Sequence, residues 1–230
     1  MNPRPFTARA NDAIAANDVL SSLRPSSKQQ LVAGVTFQEL EKDTVICHQE
    51  AAAVRFWLVS RGEVKMVKYT TNGAALLIEL VLPNELFGTV FCGDKPVYPC
   101  SAVTMKQSEL LAFRLKHLVA DLENNSLLQK ILLADTCSKL CHAQQMRGLW
   151  LEEARVRIAH LLLYLHETFG RVIPQTRATL AELAGTSVET AIRITNALSR
   201  RGILATSRGQ MEILSLPGLR ACAQSGGPAL

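Results

Sequence analysis

The stretch that most constrains this chain is residues 179–201, TLAELAGTSVETAIRITNALSRR. Thr179 and Glu182 have capping-box spacing, in which each side chain bonds the other residue's backbone N–H, so a helix is expected from Leu180. Leu180, Leu183 and Ala184 give it an apolar stripe at i, i+3, i+4. Gly185 stops it, because glycine enters the left-handed cap conformation without a Cβ clash. Thr186 and Glu189 repeat the capping spacing and open a second helix. In that helix Ala191, Ile194, Ala197 and Leu198 point inward, while Glu189, Ile192, Arg193, Asn196 and Arg200 point away. Two helices joined by a glycine turn match the helix-turn-helix pattern.

The outward residues carry the chemistry. Glu189 and Arg193 share one face near the start of the second helix, the part of a recognition helix that meets base edges. An arginine there can grip guanine O6 and N7 with two bonds, and a glutamate can accept from cytosine N4. The plain alternative is an i, i+4 ion pair on a solvated face, worth a few tenths of a kcal/mol. Residues 203–206 and 211–214 read as strands flanking Ser207-Arg208-Gly209-Gln210. A helix-turn-helix followed by such a hairpin is a winged helix, whose tip residue Arg208 can reach a phosphate or stay solvated. The expected DNA-facing set is Thr176, Arg177, Ser187, Val188, Glu189, Thr190, Ile192, Arg193, Asn196, Arg200 and Arg208. A net charge of +5 and a pI near 9.0 suit a polyanionic partner.

The rest of the chain reads in three blocks. Residues 1–12 are expected to be a loose tail, residues 13–23 a helix, and residues 28–34 a short helix capped by Ser27. From Thr36 to Leu115 short β-rich runs appear at 44–47, 56–60, 63–69, 75–82, 101–104 and 109–114, with turn signals between them. Among those signals, Gly62 marks a tight turn and Thr71-Asn72-Gly73 a hairpin. Many short strands so punctuated argue for a sandwich or small barrel. Residues 125–150 return to helical periodicity without proline, and an isolated helix of that length needs a partner. A second copy of the chain is the simplest one. Residues 150–169 form another amphipathic helix, ended by Gly170, and a disordered tail is expected from Gln224. No apolar run approaches the length of a membrane span, and the opening MNPRPFTARAND lacks a signal-peptide core, so a cytoplasmic protein is expected.

A β-rich block, a long helix and a winged helix in series resemble the Crp/Fnr superfamily of bacterial transcription regulators. The resemblance spans roughly residues 23–221 and rests on FWLVSRGEVKMVKYTTNGAALLIELVLPNELFG and TRATLAELAGTSVETAIRITNALSRRGIL. It implies an α+β fold with a cyclic-nucleotide-binding-like β-roll, or jelly roll, as sensor (1–122), a dimerisation helix (123–150) and a winged helix-turn-helix domain (151–230). It also implies a homodimer on a pseudo-palindromic double-stranded DNA operator, and contact with RNA polymerase. V-E-T-x-x-R, from Val188 to Arg193, is similar to the FNR branch, whose Glu and Arg read a G·C pair in a TTGAT-like half-site. Ile192 replaces that branch's serine and offers a base only an apolar contact.

What the sensor reads is less legible. Cyclic-nucleotide binders of this family carry G-E-[LI] followed by R-[ST], the arginine clamping the phosphate. Here Phe87-Gly88-Thr89-Val90 stands in the first half, with threonine for the glutamate. Tyr98-Pro99-Cys100-Ser101 stands in the second, with proline where the arginine belongs. No cAMP binding is expected, because an anion there would lose its water without compensation. No cysteine precedes Cys47, so the N-terminal iron–sulfur ligand set of FNR is missing, and Leu86 to Val90 lack the Cys and His of the family's carbon-monoxide sensor. Cys137 and Cys141 share a helical face and, across two copies, offer four thiolates to a soft metal or an oxidant, or else pack as small apolar residues. Cys47-His48 and Cys141-His142 each offer a candidate haem ligand. Cys92 and Cys100 lie on a loop beside the altered cassette and are candidates for oxidation, with no visible activating group. A regulator without a ligand, and a cupin-like enzyme fused to a DNA-binding tail, stay open. The chain has no H-x-H, G-x-S-x-G, P-loop or H-E-x-x-H to support the enzyme.

Overall fold

The structure, a computed structural model, describes residues 6–71, 75–89, 95–149 and 151–224. It begins with three helices, α1 (Phe6–Ala16), α2 (Asp18–Ser21) and α3 (Pro25–Gly34). The expected loose tail is therefore helical from Phe6, and the single helix expected over 13–23 is broken. Asn17 is the cause. It takes an extended conformation, and its side chain caps the backbone N–H of Leu20. Its amide donates to the carbonyl of Asn84 while the Asn84 amide donates to the carbonyl of Ala16. Ala10, Ile14, Leu20 and Leu23 are buried, which holds both pieces against the core. Ser27 does not cap α3. The helix opens on Pro25, whose missing N–H costs nothing in the first turn, and Ser27 is buried against Asp121.

The strands follow: β1 (Thr36–Leu40), β2 (Val45–Cys47), β3 (Arg55–Arg61), β4 (Val64–Tyr69), β5 (Ala75–Val81), β6 (Leu86–Phe87), β7 (Ser101–Thr104) and β8 (Ser108–Arg114). They form two antiparallel sheets, β1-β8-β3-β6 and β2-β7-β4-β5. Phe56, Trp57, Leu110, Leu111 and Phe113 from one sheet meet Val64, Met66, Val81 and Ala102 from the other in one apolar core. Phe56 and Phe113 are opposite each other and stack with ring centroids 5.1 Å apart. This is the expected β-roll. Gly62 links β3 to β4 with φ +97°, and a Cβ there would lie 2.2 Å from the Ser108 hydroxyl, so no other residue fits. Strands β4 and β5 pair as expected, although the hairpin signal at Asn72-Gly73 lies outside the described residues. Strands β1 and β6 had no clear sequence signal: β6 spans two residues, and β1 alternates weakly because it lies at the sheet edge.

Helix α4 (Leu115–Leu122) closes the roll, and α5 (Ser126–Leu149) runs on from it. The chain forms two compact units that divide between Ser138 and Lys139, inside α5. The second unit continues with α6 (Ala154–Phe169), β9 (Val172–Ile173), α7 (Arg177–Ala184), α8 (Val188–Arg200), β10 (Leu204–Ser207), β11 (Gln210–Ile213) and α9 (Leu216–Cys222). Its small sheet has the order β10-β11-β9. The winged hairpin is present one residue later on its first arm and earlier on its second than the sequence suggests, and β9 adds a third strand too short to read from sequence. The tail beyond Gln224 lies outside the described residues.

Candidate nucleic-acid interface

Helices α7 and α8 hold the site, and their starts differ from expectation. Thr176, not Thr179, caps α7, accepting from the Thr179 backbone N–H at 3.1 Å. Thr179 is instead buried within the first turn, its hydroxyl 3.0 Å from that of Thr176. Ser187, not Thr186, caps α8 by accepting from the Thr190 N–H at 3.2 Å. Gly185 forms the turn with φ 57° and ψ 49°, the left-handed cap expected of it. Between the helices the sequence offers several hydroxyl residues at near-identical spacing, and packing selects which one faces the helix end.

Ala191, Ile194, Ala197 and Leu198 are buried on the inner side of α8, with Thr195. Val188, Glu189, Ile192, Arg193, Asn196 and Arg200 are exposed on the outer side, and Thr190 is half-buried. Glu189 does not pair with Arg193. Its own backbone N–H and the neighbouring Ser187 hydroxyl hold its protonation below the usual carboxylate range. Among the described residues the Arg193 guanidinium has no ion-pair or hydrogen-bond partner. The plain i, i+4 ion pair is therefore not formed, and a planar five-donor group projects beside the helix N-terminus.

Arg177 has a structural role that sequence reasoning missed. It donates to the Thr206 hydroxyl of β10 at 3.0 Å and to Asn196 of α8 at 3.4 Å, tying α7, α8 and the wing together. Arg157 of α6 was not singled out at all. It donates to the carbonyls of Ala184 at 2.9 Å, Gly185 at 3.3 Å and Glu152 at 2.6 Å, so it clamps the turn that aims α8. The available signal was its place between the apolar Val156 and Ile158, on a helix whose apolar residues face inward. At the wing, Arg208 is exposed beside Gly209. From Lys139 onward the chain has eleven basic and six acidic residues, so the whole net charge of +5 resides in this unit.

The candidate sensor residues are scattered. Cys47 and Cys100 are buried in the roll. Burial pushes the Cys47 thiol up to about 11, the Ala102 backbone opposing and Cys100 adding to the shift. Burial, then the charge of Glu79, raises Cys100. Both are thiols at neutral pH, whereas oxidation and metal binding use thiolates. His48 is exposed while Cys47 is buried, so this Cys-His pair does not converge on one group. Cys137 and Cys141 are exposed on α5, with the His142 backbone next in the helix. Cys92 lies outside the described residues. Among the described residues no three His, Cys, Asp or Glu side chains cluster as metal ligands.

A β-roll, a long helix and a winged helix with a cationic recognition face define a DNA-binding transcription regulator. Residues 156–222 match the Crp-like helix-turn-helix domain, and residues 37–125 the cyclic nucleotide-binding domain. The chain is 31% identical over 170 residues to the cyclic AMP receptor protein of Thermus thermophilus, covering 73% of this chain and 79% of that protein. It is 28% identical over 183 residues to the transcriptional regulator SdrP of the same organism, covering 75% and 86%. Among solved structures, FixK2 of Bradyrhizobium japonicum aligns with a TM-score of 0.75 at 21% identity over 83% of this chain and 98% of that one, a likeness of fold. The chain belongs to the Crp/Fnr superfamily of transcription regulators. No helix among the described residues is long and apolar enough to cross a membrane.

Proposed function

We propose that this regulator acts in the cytoplasm as a homodimer whose α5 helices form the seam, and that it has no catalytic activity. In this reading residues 1–122 sense, 123–150 dimerise and 151–230 bind DNA. Each α8 enters the major groove of a pseudo-palindromic operator with TTGAT-like half-sites about one helical turn apart. The observation that carries this reading is the exposed Arg193 without a protein partner, one turn along from a Glu189 carboxylate drawn onto the helix start. Arg193 takes guanine O6 and N7, and Glu189 accepts from cytosine N4. Val188 and Ile192, apolar and exposed, touch thymine methyls. Thr176, Ser187, Thr190, Arg200 and Arg208 take phosphates, while Arg177 and Asn196 set the register. The exposed Leu133 and Leu140, seven residues apart on α5, support the seam. RNA polymerase is the further partner. In a gel-shift assay on such a duplex, Arg193→Ala is expected to lose about 1–3 kcal/mol of binding; equal affinity would contradict the reading.

We further propose that the roll does not bind cAMP and that the signal is redox or thiol-reactive, received at Cys137 and Cys141. The support is that Cys47 and Cys100 are buried inside the roll, whereas Cys137 and Cys141 lie on the uncovered surface of α5 in a single chain, where the proposed seam would bring four thiols together. One observation favours cyclic-nucleotide sensing instead: the 31% identity to a protein named cyclic AMP receptor protein. Calorimetric titration with cAMP separates the two, since no saturable heat is expected with Pro99 at the arginine position.

A further inference from the structure

A second candidate ligand site lies away from the cassette. A cavity of about 650 Å³ opens between the start of β3 and α4, and neither Phe87–Thr89 nor Tyr98–Ser101 lines it. Its lining joins the cations Arg55, Arg114 and Lys116 to the apolar Val54, Leu115 and Val119 and includes one carboxylate, Glu123. Arg55 and Arg114 are directly opposite each other in the β3–β8 ladder. Like charges in that position repel, and Lys116 follows two residues later. Among the described residues no carboxylate lies within ion-pair distance of any of the three. Arg114 is also the N-cap of α4 and makes no side-chain capping bond, so the helix start adds its positive end to the same place. Val54 is 65% exposed, an apolar rim beside the cations. His117 next to them has its protonation depressed, mainly by burial, with Lys116 and Arg114 adding to the shift.

Taken together, the geometry points to a site for a phosphomonoester with a compact apolar body: the two guanidinium forks and Lys116 hold a dianionic head, and the apolar lining of Val54, Leu115 and Val119 contacts the body. A phosphate head alone would leave the apolar lining of Val54, Leu115 and Val119 uncovered. This assignment is independent of how α8 meets DNA, and the test reads ligand binding only. The full chain is titrated calorimetrically with phenyl phosphate, inorganic phosphate and benzoate, as wild type, Arg55→Gln and Arg114→Gln. Phenyl phosphate is expected to saturate and to bind more tightly than the other two, and each variant to lose about tenfold or more, one charge-assisted bond's worth. Both variants are expected to melt no lower than wild type without ligand, because each relieves a repulsion. No saturation, unchanged affinity in both variants, benzoate binding as tightly as phenyl phosphate, or variants that melt lower would overturn the assignment.

Discussion

At the scale of single residues, two carboxylates are kept charged by donors. Glu189 is exposed and held by the start of its own helix. Asp121 is fully buried and takes hydrogen bonds from Ser27, Asn125 and Arg24. Burial alone would raise its pKa, but these donors outweigh burial and bring it from 3.8 to about 2. Because the folded value lies below the unfolded one, the stabilisation is present above about pH 4 and is lost as pH falls through about 2. It amounts to about 2 kcal/mol. Asp121→Asn is expected to lower unfolding free energy at neutral pH by roughly that much and to flatten the acid limb of a urea-melt series between pH 4 and 2. The shared outward face of Glu189 and Arg193 was legible because the two lie within about one helical turn. The Asp121 node was not, because Arg24 and Ser27 are 97 and 94 residues away in sequence.

At the scale of elements, aiming α8 depends on the turn before it. Arg157 satisfies the Ala184 and Gly185 carbonyls that the end of α7 leaves open. Arg157→Ala is expected to cost about 1.5–3 kcal/mol, the range for bonds to a charged group, measured by urea denaturation. An unchanged midpoint would make the clamp ornamental. Helix existence was readable from period and glycine, whereas helix starts were not: Thr179 and Thr186 have the capping-box spacing, yet Thr176 and Ser187, followed at the third position by threonine, make the caps. Strands β1, β6 and β9 escaped notice because edge position or two-residue length erases alternation. On α5, Leu133 and Leu140 are 64% and 56% exposed. Replacing both with Asp is expected to turn a sedimenting dimer into a monomer at micromolar concentration without lowering helix content. A variant that still sediments as a dimer would move the seam elsewhere.

At the scale of the whole molecule, the net charge is unevenly divided between the two compact units. The first unit, through Ser138, has fourteen basic and fourteen acidic residues, so the excess that draws a polyanion belongs to the winged-helix unit alone. Order of blocks, strand-rich then helical then winged, carried the fold class in the sequence, since each block has its own hydrophobic period. The Arg55–Arg114 juxtaposition was not carried that way: the two residues are distant in sequence and become adjacent only after β3 pairs with β8. The central claim is that the outer face of α8 reads base edges. Fluorescence anisotropy on a TTGAT-like pseudo-palindrome, and on the same duplex with the G·C pair of each half-site replaced by A·T, tests it most directly. The wild type is expected to lose about tenfold or more on the altered duplex, and Arg193→Ala to bind both alike. Equal wild-type affinity for the two duplexes, or discrimination surviving in Arg193→Ala, would contradict the account.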